Sequence, residues 1–258
     1  MKFLVELSFL GSAYHGWQVQ KNAPSVQNTL QCAVQTLLGA PCKITGCSRT
    51  DAGVHARQFF CTVESDALAH FPPEAFPRAI ARYLPPDLSV LSARRVGEDF
   101  HPRYDAHAKE YEYLIYTGHS PDPFLAGRAW MLCGERLDTA RMNEGAQTLV
   151  GTHDFTSFCA AGGKVVDKTR TIYHCTVTQS GDLVTLRVCA NGFLYNMVRI
   201  ITGTLIDYQR GRVGDLSAVL QGCDRVLAGR TAPPQGLYLN KVYYSEQERL
   251  KARFVPDN

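Results

Sequence analysis

The chain has 258 residues, enough for one large domain or two small ones, and at 45% hydrophobic it can bury a proper core. Its net charge of +3 is too small to announce a nucleic-acid partner, so any RNA contact needs positive charge gathered on one face. Nine cysteines without a C-x-x-C pair do not group as zinc ligands and read instead as small hydrophobes of a reducing cytosol.

Glu6 interrupts the apolar start of the chain before a signal-peptide core can form, and no uncharged apolar run is long enough to span a bilayer. A soluble, cytoplasmic protein without membrane contact is expected. Lys2 to Leu10 alternates and predicts a strand. Ser25 then caps a helix whose stripe is Val26, Leu30, Ala33, Val34, Leu37 and Leu38, stopped by Gly39. Strands are predicted from Cys42 to Thr45 and from Gln58 to Glu64. A helix starts at Pro72-Pro73-Glu74, and a strand runs from Leu88 to Val96.

That order, βαββαβ, is the ferredoxin-like arrangement, and the chain repeats it. The second round takes a strand from Glu110 to Tyr116, then a helix capped by Asp138 and stopped by Gly151. A hairpin follows over Thr169–Gln179 and Leu183–Ala190, then a helix from Tyr195 to Gln209, a short helix from Asp215, and a strand from Leu237 to Tyr244. The predicted fold is therefore α+β: two ferredoxin-like halves, 1–106 and 107–245, joined into one mostly antiparallel sheet with a central active-site cleft. A charged tail, 246–258, follows and is expected to be partly disordered.

Only the first half carries an enlarged, charged loop between its second and third strands: Gly46-Cys47-Ser48-Arg49-Thr50-Asp51-Ala52-Gly53-Val54-His55-Ala56. Loops displayed by a rigid sheet are where binding and catalytic residues concentrate. Taken by itself, an Arg-Thr-Asp triplet is also compatible with a plain Asx turn. Asp51 is the only carboxylate in the loop, whereas glycoside hydrolysis normally needs two. Ala161-Gly162-Gly163-Lys164 is not a phosphate loop, since Val165 follows where Ser or Thr is required. With Lys168 and Arg170 it reads as a basic connection, able to touch an RNA backbone or simply solvated. No dinucleotide fingerprint is present.

The eleven-residue string closely resembles the signature of the TruA family of tRNA pseudouridine synthases, with Ser48 where a Gly is usual. Lys109-Glu110-Tyr111-Glu112-Tyr113 resembles the family's strand whose first Tyr stacks on the target base. Phe193-Leu194-Tyr195-Asn196-Met197-Val198-Arg199 resembles its helix whose Arg pairs with the catalytic Asp. Gly151 to Phe158 and Ala232-Pro233-Pro234-Gln235-Gly236-Leu237 also look like family segments.

The resemblance implies a uridine isomerase acting on the anticodon arm of tRNA, at positions 38–40, as a homodimer and without metal or cofactor. It places Asp51 as the catalytic carboxylate, Tyr111 at the base and Arg199 beside the Asp; a core role also stays open for Tyr111, whose strand face Tyr113 shares. It also implies that Arg49 holds or displaces the base and that Leu237 packs against the site floor, with plain core packing also open for Leu237. Lys164, Lys168, Arg57 and His55 are candidate RNA contacts, with a structural role equally open for His55. Independently of the family, a charged Arg199 among Met197, Val198, Ile200 and Ile201 needs a partner. Two other readings stay open: a non-catalytic RNA-binding module of the RRM type, and a nucleoside glycosylase releasing free base.

Overall fold

The structure, a computed structural model, describes residues 1–163 and 165–251. Helices and strands combine in an α+β fold with mixed sheet, divided into two compact units. One comprises residues 1–107 and the chain from Tyr238 onward; the other is Ala108–Leu237. In chain order the first contributes β1 (Lys2–Phe9), α1 (Val26–Leu38), β2 (Lys43–Gly46), β3 (His55–Glu64), α2 (Phe76–Ile80) and β4 (Leu88–Val96). The second holds β5 (Ala108–Tyr116), β6 (Trp130–Met131), α3 (Thr139–Thr148), β7 (Gly151–Asp154), β8 (Thr169–Ser180), β9 (Leu183–Ala190), α4 (Met197–Gln209) and α5 (Leu216–Gln221). The chain closes on β10 (Leu237–Tyr243) and α6 (Glu246–Lys251).

In the first unit β1 is central, antiparallel to β3 at Val5–Cys61 and to β4 at Val5–Ala93. Both of its faces are covered, so Phe3, Leu4, Val5 and Leu7 are all buried. The far edge of β3 is shared. β2 runs antiparallel to its C-terminal half (Ile44–Val63), and β10 runs parallel to its start (Tyr238–His55, Leu239–Ala56). The spatial order is therefore β4-β1-β3-β2. Helix α1 forms as its sequence dictates: Ser25 Oγ accepts from the Asn28 N–H at 3.3 Å, and Gly39 at φ 62° ends it in the left-handed region. Phe76 of α2 meets Phe3 of β1 edge-on, with ring centroids 6.0 Å apart.

In the second unit β5 pairs β9 (Tyr111–Val188), β9 pairs β8 (Cys175–Val188) and β8 pairs β7 (Thr152–Thr171), all antiparallel. The two-residue β6 lies parallel to β5. Gly181, at φ 56°, makes the β8–β9 turn. Asp138 caps α3 by accepting from the Arg141 N–H at 2.9 Å.

The structure corrects the sequence reading in several places. The last strand, expected with the second half, groups from Tyr238 on with the first unit, where it runs parallel to β3. Strand β3 starts at His55 rather than Gln58, and α4 starts at Met197 because Asn196, at φ 60°, is left-handed. Strands β6 and β7 were not anticipated, being only two and four residues long. Part of the expected tail is helical: Ser245 Oγ accepts from the Glu248 N–H (3.1 Å) while the Glu248 carboxylate accepts from the Tyr244 N–H (2.9 Å). That reciprocal cap is a local signal for α6. Residues 252–258 lie outside the described residues.

Candidate active site

The Asp51 loop is held against the segment that follows β1. The Trp17 N–H donates to the Thr50 carbonyl and the Gly53 N–H to the Tyr14 carbonyl, each at 3.2 Å. This approach demands glycine: a Cβ on Gly16 would stand 2.3 Å from the Thr50 carbonyl oxygen, and one on Gly11 2.0 Å from that of Val54. Tyr14 is itself tied down, donating to Asp87 at 2.7 Å; burial and that carboxylate push its phenol well above the ordinary range. On this frame Asp51 is half-buried, Arg49 exposed and Thr50 buried. The Thr50 hydroxyl has no hydrogen-bond partner among the described residues. Ser48 fits without strain, since the only non-glycine residues with positive φ among those described are Asn196 and Cys223.

His55 is in the core. It is fully buried in β3, its Nδ1 accepts from the Gly11 N–H at 2.9 Å, and its ring stacks on Tyr238 at 4.6 Å. Of the two roles left open by the sequence, these surroundings are those expected of the structural one. Arg57, two residues on, is exposed, with its guanidinium 4.8 Å from the Tyr238 ring centroid.

In the second unit the paired tyrosines of β5 separate. Tyr113 is core: no surface is exposed, and its hydroxyl donates to the Pro233 carbonyl at 2.6 Å. Tyr111 keeps a small exposed edge and meets Phe193 edge-on at 4.9 Å. On the other face of β5, Glu112 accepts from Arg187 directly across on β9, at 2.9 Å.

Arg199 lies in the first turn of α4, half-buried. Its Nε donates to the Ala232 carbonyl and its Nη1 to Asn196 Oδ1, both at 2.8 Å. The sequence announced a buried cation but not these oxygens. Ala232 sits on a strap fastened along α4. The Gly229 N–H donates to Thr204 Oγ1 (2.9 Å), the Arg230 side chain to Asp207 (3.0 Å), and the Ala232 N–H to the Arg199 carbonyl (3.0 Å). Burial disfavours the Asp207 charge, but hydrogen bonds from Arg230 and the Arg230 and Arg210 charges outweigh it, so its carboxyl stays below the ordinary range. A Cβ on Gly203 would lie 1.9 Å from the Arg230 carbonyl oxygen. Gly203→Ala should therefore push the strap off the helix and destabilise the fold by about 1–3 kcal/mol, the usual cost of overpacking. A urea midpoint equal to the parent's would show that the strap accommodates the methyl.

Leu237 is buried and ends the 3-10 turn Pro234–Gly236, whose Gly236 has no room for a Cβ against the Tyr113 ring. Lys168 is half-buried and its carbonyl accepts from the Phe155 N–H. Arg170, at the start of β8, donates to the carbonyls of Asp167 and Thr169. Lys164 lies outside the described residues. Among the described residues no cluster of His, Cys, Asp or Glu is placed to hold a metal ion, and no helix is long and apolar enough to cross a membrane.

Arg49 and Asp51 thus share one clamped loop of the first unit, while Tyr111, Arg199 and Leu237 belong to the second. A family model described as tRNA pseudouridine synthase matches residues 7–105 and 146–245, which include the Asp51 loop and α4 but not Tyr111. The tRNA pseudouridine synthase A of Bacillus subtilis is 42% identical over 248 residues, covering 95% of this chain and 99% of that protein. That of Ruminiclostridium cellulolyticum is 41% identical over 246 residues, 94% and 99% of the two chains. That of Citrifermentans bemidjiense is 42% identical over 250 residues, 96% and 98%. With its lone carboxylate on a clamped loop and likeness over nearly its whole length, the chain belongs to the tRNA pseudouridine synthase family, the TruA family.

Proposed function

We propose that this synthase isomerises uridine to pseudouridine in the anticodon arm of tRNA, at positions 38–40, with Asp51 as the reacting carboxylate. The reaction breaks the bond from ribose C1′ to N1 of the base, turns the base, and joins C1′ to C5. The C5 proton is lost and N1 gains one, so no atom is added and no electron is transferred. Such a reaction asks for a carboxylate at the ribose or base, exclusion of water and a grip on the base as it turns. The observation that carries this reading is Asp51, half-buried and alone among carboxylates on a loop whose backbone is pinned at both Thr50 and Gly53.

In the same proposal Tyr111 stacks on the base, Arg199 keeps Asp51 ionised, and Arg49 holds or displaces the base. Arg57, Lys164 and Lys168 serve the RNA backbone, and Leu237 completes the floor. We read each unit as ferredoxin-like, supported in the first by the order β4-β1-β3-β2. A cytoplasmic homodimer holding tRNA is the assembly we propose.

The test is to map pseudouridine in tRNA incubated with the purified protein in EDTA. Conversion at positions 38–40 is expected. Release of free uracil instead would make the protein a glycosylase, and tRNA binding without either product would make it a binding module.

A further inference from the structure

A pocket of about 170 Å³ opens beside the Asp51 loop in the first unit, and of the residues given roles above only Arg49 lines it. Ser48 and Arg49 line it together with His101, Arg103 and Tyr104 of one turn and with Trp17. Trp17 is itself stacked on Phe59 at 4.2 Å. Gly46 makes room for that indole, since a Cβ there would meet it at 2.5 Å.

The pocket differs from the rest of the molecule in charge. The chain as a whole nearly balances 27 basic against 24 acidic residues, yet the pocket lining contains two arginines and no carboxylate. Both arginines are exposed, and among the described residues neither guanidinium has an ion-pair partner. The acid nearest in sequence, Asp105, is engaged: it accepts from the His101 N–H at 2.9 Å.

The turn is built rather than loose. The Asp105 N–H donates to the His101 carbonyl (3.0 Å), and His101 Nδ1 accepts from the N–H groups of Arg103 (3.1 Å) and Tyr104 (3.3 Å). The imidazole is thereby fixed against the Tyr104 ring, centroids 4.3 Å apart, while Tyr104 remains 75% exposed. A large aromatic ring held in water, with the Arg103 guanidinium 5.8 Å from its centroid and without an ion-pair partner, has its ordering cost met before any ligand arrives. Aromatic faces with flanking cations are what single-stranded nucleic acid binds: bases stack on the ring and phosphates meet the charges. An inorganic anion would make no use of the ring, and an apolar partner none of the arginines.

We propose that this pocket is a nucleotide subsite, which takes one nucleotide of the bound RNA other than the target uridine. The base lies on Tyr104, and the phosphate is met by Arg103. The proposal rests on the tRNA reading above, and its test separates the two. Affinity is measured by filter binding with tRNA whose uridines at 38–40 are replaced by cytidine, so no turnover intervenes. Tyr104→Ala should weaken binding about tenfold or more, the order of one lost base–aromatic stack, and Tyr104→Phe should restore it. Arg103→Ala should reduce the slope of log affinity against log salt by roughly 0.7, one phosphate's share on a single strand, while Arg103→Lys keeps it. Parent-like affinity for Tyr104→Ala, failure of Tyr104→Phe to restore it, or an unchanged slope for Arg103→Ala would each overturn the subsite. Tritium release from C5-labelled tRNA by the parent is read in parallel. Binding without release sinks the isomerase reading and leaves the subsite standing; release with an unaffected Tyr104→Ala does the reverse.

Discussion

Asp51→Asn should abolish pseudouridine formation while tRNA still binds. The amide preserves the shape of the side chain and removes the charge needed for either nucleophilic attack or proton abstraction. The loop itself should survive, because its clamps to Tyr14 and Trp17 are made by the backbone of Thr50 and Gly53. Loss of a positioned reacting group costs about 10²–10⁴ in rate, so tritium release from C5-labelled tRNA should fall by at least that range. Release at the parent rate would remove Asp51 from the chemistry, whatever the affinity shows.

Arg199→Ala should cripple catalysis nearly as much as Asp51→Ala, and the double variant should be little worse than either. A guanidinium favours the ionised form of a neighbouring carboxylate, and residues that act as one unit lose their function together. The geometry of Arg199 sharpens the expectation. Two of its nitrogens are already committed, Nε to the Ala232 carbonyl and Nη1 to Asn196 Oδ1, which orients the planar group. A lysine in its place has one nitrogen and no fork, so Arg199→Lys should rescue poorly. The measurement is a double-mutant cycle on single-turnover rates at saturating enzyme. Simple additivity would make Arg199 a packing or backbone-contact residue.

Local signals in the chain were legible where a few neighbouring residues settle the structure. Ser25 and Gly39 bound α1, Asp138 starts α3, and Gly181 turns the β8–β9 hairpin, each through contacts within a few residues. The reciprocal cap of Ser245 and Glu248 is of the same kind, and the compositional reading of a charged tail passed over it. Very short strands escaped for the opposite reason. β6 has no alternation to display in two residues and exists only because β5 offers it an edge.

The sequence by itself determined the family, because the Arg49-to-Ala56 string and the Arg199 helix are written in contiguous residues. The α+β class, both ends of α1 and the start of α3 were legible in the same way, because they depend on caps and periodicity. What a polar side chain does was decided by tertiary structure, since burial and partners come from distant parts of the chain. His55 lies within the signature string, yet Gly11 and Tyr238, 44 residues before it and far after it, make it a core residue. Arg199 announced its need for a partner, but Ala232 supplies an oxygen only because Asp207 and Thr204 fasten the strap to α4. Tyr104 lines the Arg49 pocket only through the hydrogen-bonded 101–105 turn that carries it.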